Sequence, residues 1–124
     1  MAIRLGMITP SLNTVLEPVT YRLLHGLPDV TAHFSRVSVT QISLDESSGG
    51  QFAPEPMIEA ARLLIDAKVG SICWNGTSGG WLGVEKDAAL CDAVQAAVGV
   101  PVTSATKAVT SLFREAGVTR FGLV

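Results

Sequence analysis

Charge is scarce in this chain. Only 16% of its 124 residues are charged and the formal net charge is −2, so it lacks the basic footprint that nucleic acid or an anionic membrane surface would attract. No run of Lys or Arg compensates. Cysteine is equally sparse. Cys73 and Cys91 are the whole complement, which leaves a disulfide framework or a zinc site without support, and both are expected as reduced core thiols. No apolar stretch approaches the ~20 residues that span a bilayer, and Met1-Ala2-Ile3-Arg4-Leu5 lacks the long apolar core of a signal peptide. There is no internal repeat and no low-complexity segment. The expected setting is the cytoplasm, with small molecules as partners and neither nucleic acid nor membrane. Oligomeric state stays open, a homo-oligomer included.

What the chain does have is apolar surface to bury. Hydrophobic residues make up 48% of a length that suits one domain with one core. Ile3 to Ile8 is a short apolar run ending at Thr9-Pro10, the pattern of a strand buried on both faces. From Thr14 the apolar residues Val15, Val19, Leu23 and Leu24 recur at helical spacing until Gly26 and Pro28. Val30 to Val39, rich in β-branched residues, reads as a second strand, and the polar Ser43 to Phe52 as a long loop. Pro54 and Pro56 suit the first turn of a helix whose buried face is Met57, Ala60, Ala61, Leu64 and Ile65. Val69 to Trp74 reads as a third strand, Gly76 to Gly80 as a flexible loop, and Val84 to Val98 as a helix that Gly99 ends. Pro101 to Thr103 and Ala105 to Ala116 give a fourth strand and a closing helix. Alternation of this kind predicts an α/β fold, a parallel sheet flanked by helices in flavodoxin-like order. Residues 120–124 look like a strand just starting, so the chain is expected to be one lobe, 1–124, of a larger protein.

In open parallel sheets ligands collect beyond the carboxyl ends of the strands. Three loops are expected to converge there: Thr9 to Thr14, Asn75 to Gly80 and Thr103 to Thr106. Each runs into a helix start, where free N–H groups favour an anion such as a carboxylate or phosphate. In the first loop Asn13 and its hydroxyl-bearing neighbours also suit plain helix capping, and Thr14 with Glu17 fits a capping box. The second loop, Asn75-Gly76-Thr77-Ser78-Gly79-Gly80-Trp81, is more informative. Its glycines let backbone approach a ligand, and Thr77 and Ser78 add donors for developing negative charge, as in an oxyanion hole. An ordinary strand-to-helix turn capped by Ser78 is the competing reading. Neither GxGxxG nor a P-loop is present, which disfavours a nucleotide. Ser11, Ser78 and Ser104 have no base beside them, since His25 and His33 fall far from the strand ends, so a Ser-His-Asp triad is not expected. Asp45, Glu46 and Glu55 could line the mouth of the site, though a solvated loop suits them as well.

Taken together, Ile8-Thr9-Pro10-Ser11-Leu12-Asn13-Thr14-Val15-Leu16-Glu17-Pro18 and Asn75-Gly76-Thr77-Ser78-Gly79-Gly80 resemble the aspartate/glutamate racemase superfamily. The similarity runs on through Pro101-Val102-Thr103-Ser104-Ala105-Thr106, and it points to the maleate cis-trans isomerase and arylmalonate decarboxylase branches. The resemblance implies two similar α/β lobes, a small-acid site between them and no cofactor or metal. It implies that Asn13 binds a substrate carboxylate and that Thr77 and Ser78 support the carboxylate or its enolate. Pro10, Ser11 and Gly79 complete the expected binding set. A first-lobe cysteine is common in the superfamily, and Gly76 stands in its position here. Cys73, three residues earlier in a strand, is a poor replacement. That departure disfavours a two-base racemase, and equally an isomerase whose thiolate adds to a double bond from this side, so the arylmalonate decarboxylase branch fits better. The expected function is a cofactor-independent lyase or isomerase acting on a small carboxylic or dicarboxylic acid through an enolate-like intermediate. A non-catalytic carboxylate binder, an amino-acid racemase and a nucleotide-binding flavodoxin-like domain are the alternatives.

Overall fold

The computed structural model describes residues 1–39 and 53–124. The expected Ser43 to Phe52 loop, with Asp45 and Glu46, lies outside the described residues. Among the described residues four strands form one sheet: β1 (Ile3–Pro10), β2 (Val30–Val37), β3 (Ser71–Trp74) and β4 (Val102–Ser104). Their order is β2-β1-β3-β4 and every pairing is parallel, as the alternation of apolar runs with helical periods requires. The helices are α1 (Leu16–Leu23), α2 (Pro54–Asp66), α3 (Gly79–Leu82), α4 (Val84–Val98) and α5 (Ala105–Glu115). The direction of travel along the sheet reverses between the β1-to-β2 and β2-to-β3 crossovers. Right-handed connections therefore put α1 on the face opposite α2.

Burial is uneven across the sheet. Ile8, Ile72, Trp74 and Val102 pack under Met57, Ala60, Ala61 and Leu64 of α2 and Leu90, Cys91 and Val94 of α4 as one cluster. Within β3, however, Ile72 and Trp74 are buried while Ser71 and Cys73 are only half-buried. The expected burial of strands on both faces is therefore realised on one. On β2, Phe34 meets Tyr21 of α1 edge to face, with centroids 5.7 Å apart. α5 buries none of its residues, although its apolar spacing is as regular as that of α2.

Two local readings change. The capping box at Thr14 and Glu17 does not form: Asn13 Oδ1 accepts from Val15 N at 3.0 Å and Leu16 N at 2.8 Å. Glu17 turns instead to Arg36 across the loop, 2.6 Å away. The Gly76–Gly80 segment is less of a loop than its glycines suggest, because Gly79 and Gly80 open the single turn of α3, held by Trp81 and Leu82 N–H to Ser78 O at 3.1 and 2.8 Å. Residues 120–124 pair with no strand among the described residues; the ring of Phe121 lies on that of Phe113, centroids 5.0 Å apart.

Candidate active site

The sheet order reverses direction between β1 and β3, and a cleft opens at that point beyond their carboxyl ends. It has a volume of about 320 Å³ and is walled by Pro10, Leu12, Asn13, Val39, Trp74, Asn75, Gly76, Thr77, Ser78 and Trp81, which suits a small organic ligand. Two of the three expected loops supply it.

The first loop is fixed from several sides. Ser11 Oγ donates to Val39 O at 3.2 Å and accepts from Val39 N at 2.9 Å, so it ties the loop to the end of β2 and stands outside the cleft wall. Arg36 reaches over from β2 and donates to Ser11 O at 3.1 Å and Asn13 O at 2.9 Å. With Oδ1 of Asn13 occupied by two backbone amides, its side-chain NH₂ is the group left to meet a ligand. Asn13 thus caps the helix and lines the cleft at once.

The second loop is anchored by Asn75, whose N–H donates to Ile8 O at 2.9 Å and whose Nδ2 donates to Cys73 O at 3.0 Å. Gly76 is buried, and a Cβ added there would lie 2.1 to 2.8 Å from three carbons of the Trp74 indole. No side chain fits at 76 while that ring stays in place. Thr77 is exposed on the cleft rim, whereas Ser78 is buried. Ser78 makes no side-chain capping bond to α3, so its hydroxyl is not consumed by the capping role that competed for it. Gly79 is also buried, but it faces α4 and not the cleft.

The third expected loop does not converge. β4 lies on the far side of β3 from β1, and the Ser104 hydroxyl donates to the buried carboxylate of Asp87. Thr106 borders a separate hollow between α4 and α5 with Lys107 and Arg114. Glu55 is exposed at the start of α2 and stays outside the cleft wall. His33 sits on β2 beside Thr31 Oγ1 at 3.0 Å, and His25 is exposed after α1.

Neither thiol serves the cleft. Cys73 donates weakly to Trp74 O at 3.6 Å, and burial, with Cys91 and Asp87 nearby, pushes its pKa up to about 11. Burial raises Cys91 as well, with Asp87 adding to the effect. A thiol in that range is not a nucleophile near neutral pH. The described cleft residues thus offer N–H and O–H donors and apolar walls, without an acid, a base or a charge. Among the described residues no group of three His, Cys, Asp or Glu is placed to hold a metal ion, and no helix is long and apolar enough to cross a membrane.

The residue readings missed the apolar half of this wall. Leu12, Val39, Trp74 and Trp81 line it, and the two tryptophans flanking the glycine-rich loop were the available signal.

No family model and no curated protein matches the sequence. Solved structures do. An arylmalonate decarboxylase superposes with a TM-score of 0.72 at 25% identity, over 92% of this chain and 46% of the other. An unliganded arylmalonate decarboxylase gives 0.71 at 26%, over 94% and 48%. A cysteine-to-serine variant of Nocardia farcinica maleate cis-trans isomerase, carrying a covalently bound succinylcysteine intermediate, gives 0.72 at 17%, over 92% and 49%. The chain shares the fold of these enzymes and spans about half the length of each. These neighbours fall in the branch of the racemase superfamily that its two motifs resemble.

Proposed function

We propose that this chain forms one half of a cofactor-independent lyase or isomerase. Its substrate is a small mono- or dicarboxylic acid and its intermediate is enolate-like. The observation that carries the reading is the composition of the cleft: Asn13, Thr77 and Ser78, which bear hydrogen-bond donors, line it together with the apolar Leu12, Val39, Trp74 and Trp81. Such a surface recognises a molecule with a charged end and an apolar body.

Decarboxylation of a malonate-type acid is the reaction this surface assists best. The bond to the departing carboxylate breaks, its electron pair enters the α-carbon and the remaining carboxylate, and carbon dioxide leaves. Charge then accumulates on the retained oxygens. In this reading the Asn13 amide holds those oxygens together with the Thr77 and Ser78 hydroxyls, which act as an oxyanion hole. The apolar walls remove water from the group that loses its charge. The intermediate must then be protonated at carbon, and none of the described cleft residues is an acid or base. The proton donor in this reading lies outside the described cleft residues. A Gly at 76, covered by an indole, leaves this side of the substrate without a thiol, so two-base racemisation and thiolate addition from this side are disfavoured.

The lack of an acid or base among the described cleft residues also favours a second reading, a carboxylate-binding protein without chemistry. Incubating the full-length protein with arylmalonates, maleate and amino-acid enantiomers in deuterated water separates the two. The enzyme reading expects carbon dioxide release or isomerisation, with deuterium at the α-carbon. Binding of the same acids with no product would establish the second reading.

A further inference from the structure

Asp87 is a buried carboxylate that does not line the cleft. It sits in the first turn of α4 at 4% exposure, and Ser104, at 0%, donates its hydroxyl to Oδ2. The same hydroxyl accepts from Lys107 N at 3.0 Å and so caps α5. Oδ1 is buried with no hydrogen-bond partner among the described residues. Burying a carboxylate with half of its acceptor capacity unused is an expensive way to fill space.

What Oδ1 touches is the back of the candidate oxyanion loop. A Cβ built on Gly79 would lie 2.6 Å from Asp87 Cβ, 2.7 Å from Cγ and 2.8 Å from Oδ1. The side chain is therefore pressed against the Cα of the residue after Ser78, a contact only glycine permits. Within the loop, Gly80 N–H bonds to Thr77 O at 3.0 Å, and Ser78 adds no side-chain cap to the turn of α3. Asp87 thus joins three elements: the loop by contact, α4 by sequence, and the β4–α5 junction through Ser104.

We propose that Asp87 is a positioning residue for the cleft, and that with Ser104 it forms a buried brace setting where Thr77 and Ser78 point. The role rests on the functional reading above, and Asp87 acts through the loop, since it is not part of the cleft wall. Misplacing donors by about 1 Å costs on the order of a hundredfold in turnover. Because those donors act mainly on charge that develops during the reaction, the loss falls on kcat more than on KM.

The test uses the full-length protein and three variants, Asp87→Ala, Asp87→Asn and Ser104→Ala. Asp87→Ala is expected to lower kcat for arylmalonate about a hundredfold with KM changed less than about threefold. Asp87→Asn keeps the outline and an acceptor for Ser104, and should recover most of that loss. Hydrogen exchange of the Thr77–Gly80 amides is the second readout. It should speed up about tenfold in Asp87→Ala, return toward the parent rate in Asp87→Asn, and leave β1 and β2 amides unchanged. Unchanged loop exchange, or a kcat loss that Asp87→Asn does not recover, overturns the brace. If Asp87→Ala does not fold, Ser104→Ala takes its place, and parent-like loop exchange in that variant is the overturning result. Should the parent protein convert no carboxylate, the functional reading fails, while loop exchange still decides whether Asp87 holds the loop.

Discussion

Adding a side chain at Gly76 is a sharp test of the cleft geometry. A methyl there would sit 2.1 Å from one indole carbon of Trp74 and within 2.8 Å of two others, against ~3.5 Å for ordinary carbon contact. The ring must move, and Trp74, at 2% exposure within the main core cluster, has little room to do so. Overpacking of this kind costs ~1–3 kcal/mol. Replacing glycine also restricts the unfolded chain, which returns ~0.4–1 kcal/mol where the backbone suits alanine. A net destabilisation of about 1–2 kcal/mol is expected for Gly76→Ala, or a drop of several degrees in Tm for a chain of this size. Urea unfolding followed by tryptophan emission reads both quantities, since the perturbed ring is itself a reporter. Shrinking the ring in Gly76→Ala/Trp74→Val should make the pair non-additive by at least ~0.5 kcal/mol. A single Gly76→Ala variant with unchanged urea midpoint and emission would refute the contact. With it would go the argument that this chain cannot carry a cleft thiol.

Other outcomes follow from the same geometry. Asn13→Ala should lose about 1 kcal/mol of stability, the usual cost of a lost helix cap, and should weaken carboxylate binding in calorimetric titration. Ser11→Ala frees the N–H and C=O of Val39 and should cost ~1–2 kcal/mol in urea unfolding, while leaving the chemistry of the cleft wall intact. Arg36→Ala, at an exposed ion pair, should change stability by less than ~1 kcal/mol. Cys73, raised to about 11, should react with a disulfide reagent about a hundredfold more slowly than a free thiol at neutral pH. Its raised value also sets a direction. The folded state keeps the proton that the unfolded thiol loses near pH 9, so this contribution is complete below pH 9 and is lost as pH rises toward 11. Cys73→Ala should flatten the fall in stability across that window.

The fold was legible in the sequence because its strands are short apolar runs and its helices carry clear periods. Ile3 to Ile8 and Val84 to Val98 could be read directly. The convergence of Asn13 with Thr77 and Ser78 followed from parallel-sheet geometry once the strand order was expected. Three kinds of feature were not legible. Glu17 obeys local capping chemistry in sequence but is captured by Arg36, a partner 19 residues away that only the β1–β2 pairing brings near. Thr103 to Thr106 was placed at the cleft because strand ends converge in general, whereas the side-chain bond from Ser104 to Asp87 is a contact between elements with no sequence pattern. The apolar wall belongs to the same class: Val39 and Trp81 look like core or surface residues until the loops are set in space.

The central claim is that Thr77 holds charge that develops on a carboxylate during turnover. The direct measurement is kcat and KM for full-length Thr77→Ala on the acid the parent protein converts. The expected kcat is about a hundredfold lower or worse, equivalent to roughly 3 kcal/mol of barrier, with KM little changed. A normal kcat with KM raised would contradict it, and would leave Thr77 as a residue that binds the ground state alone.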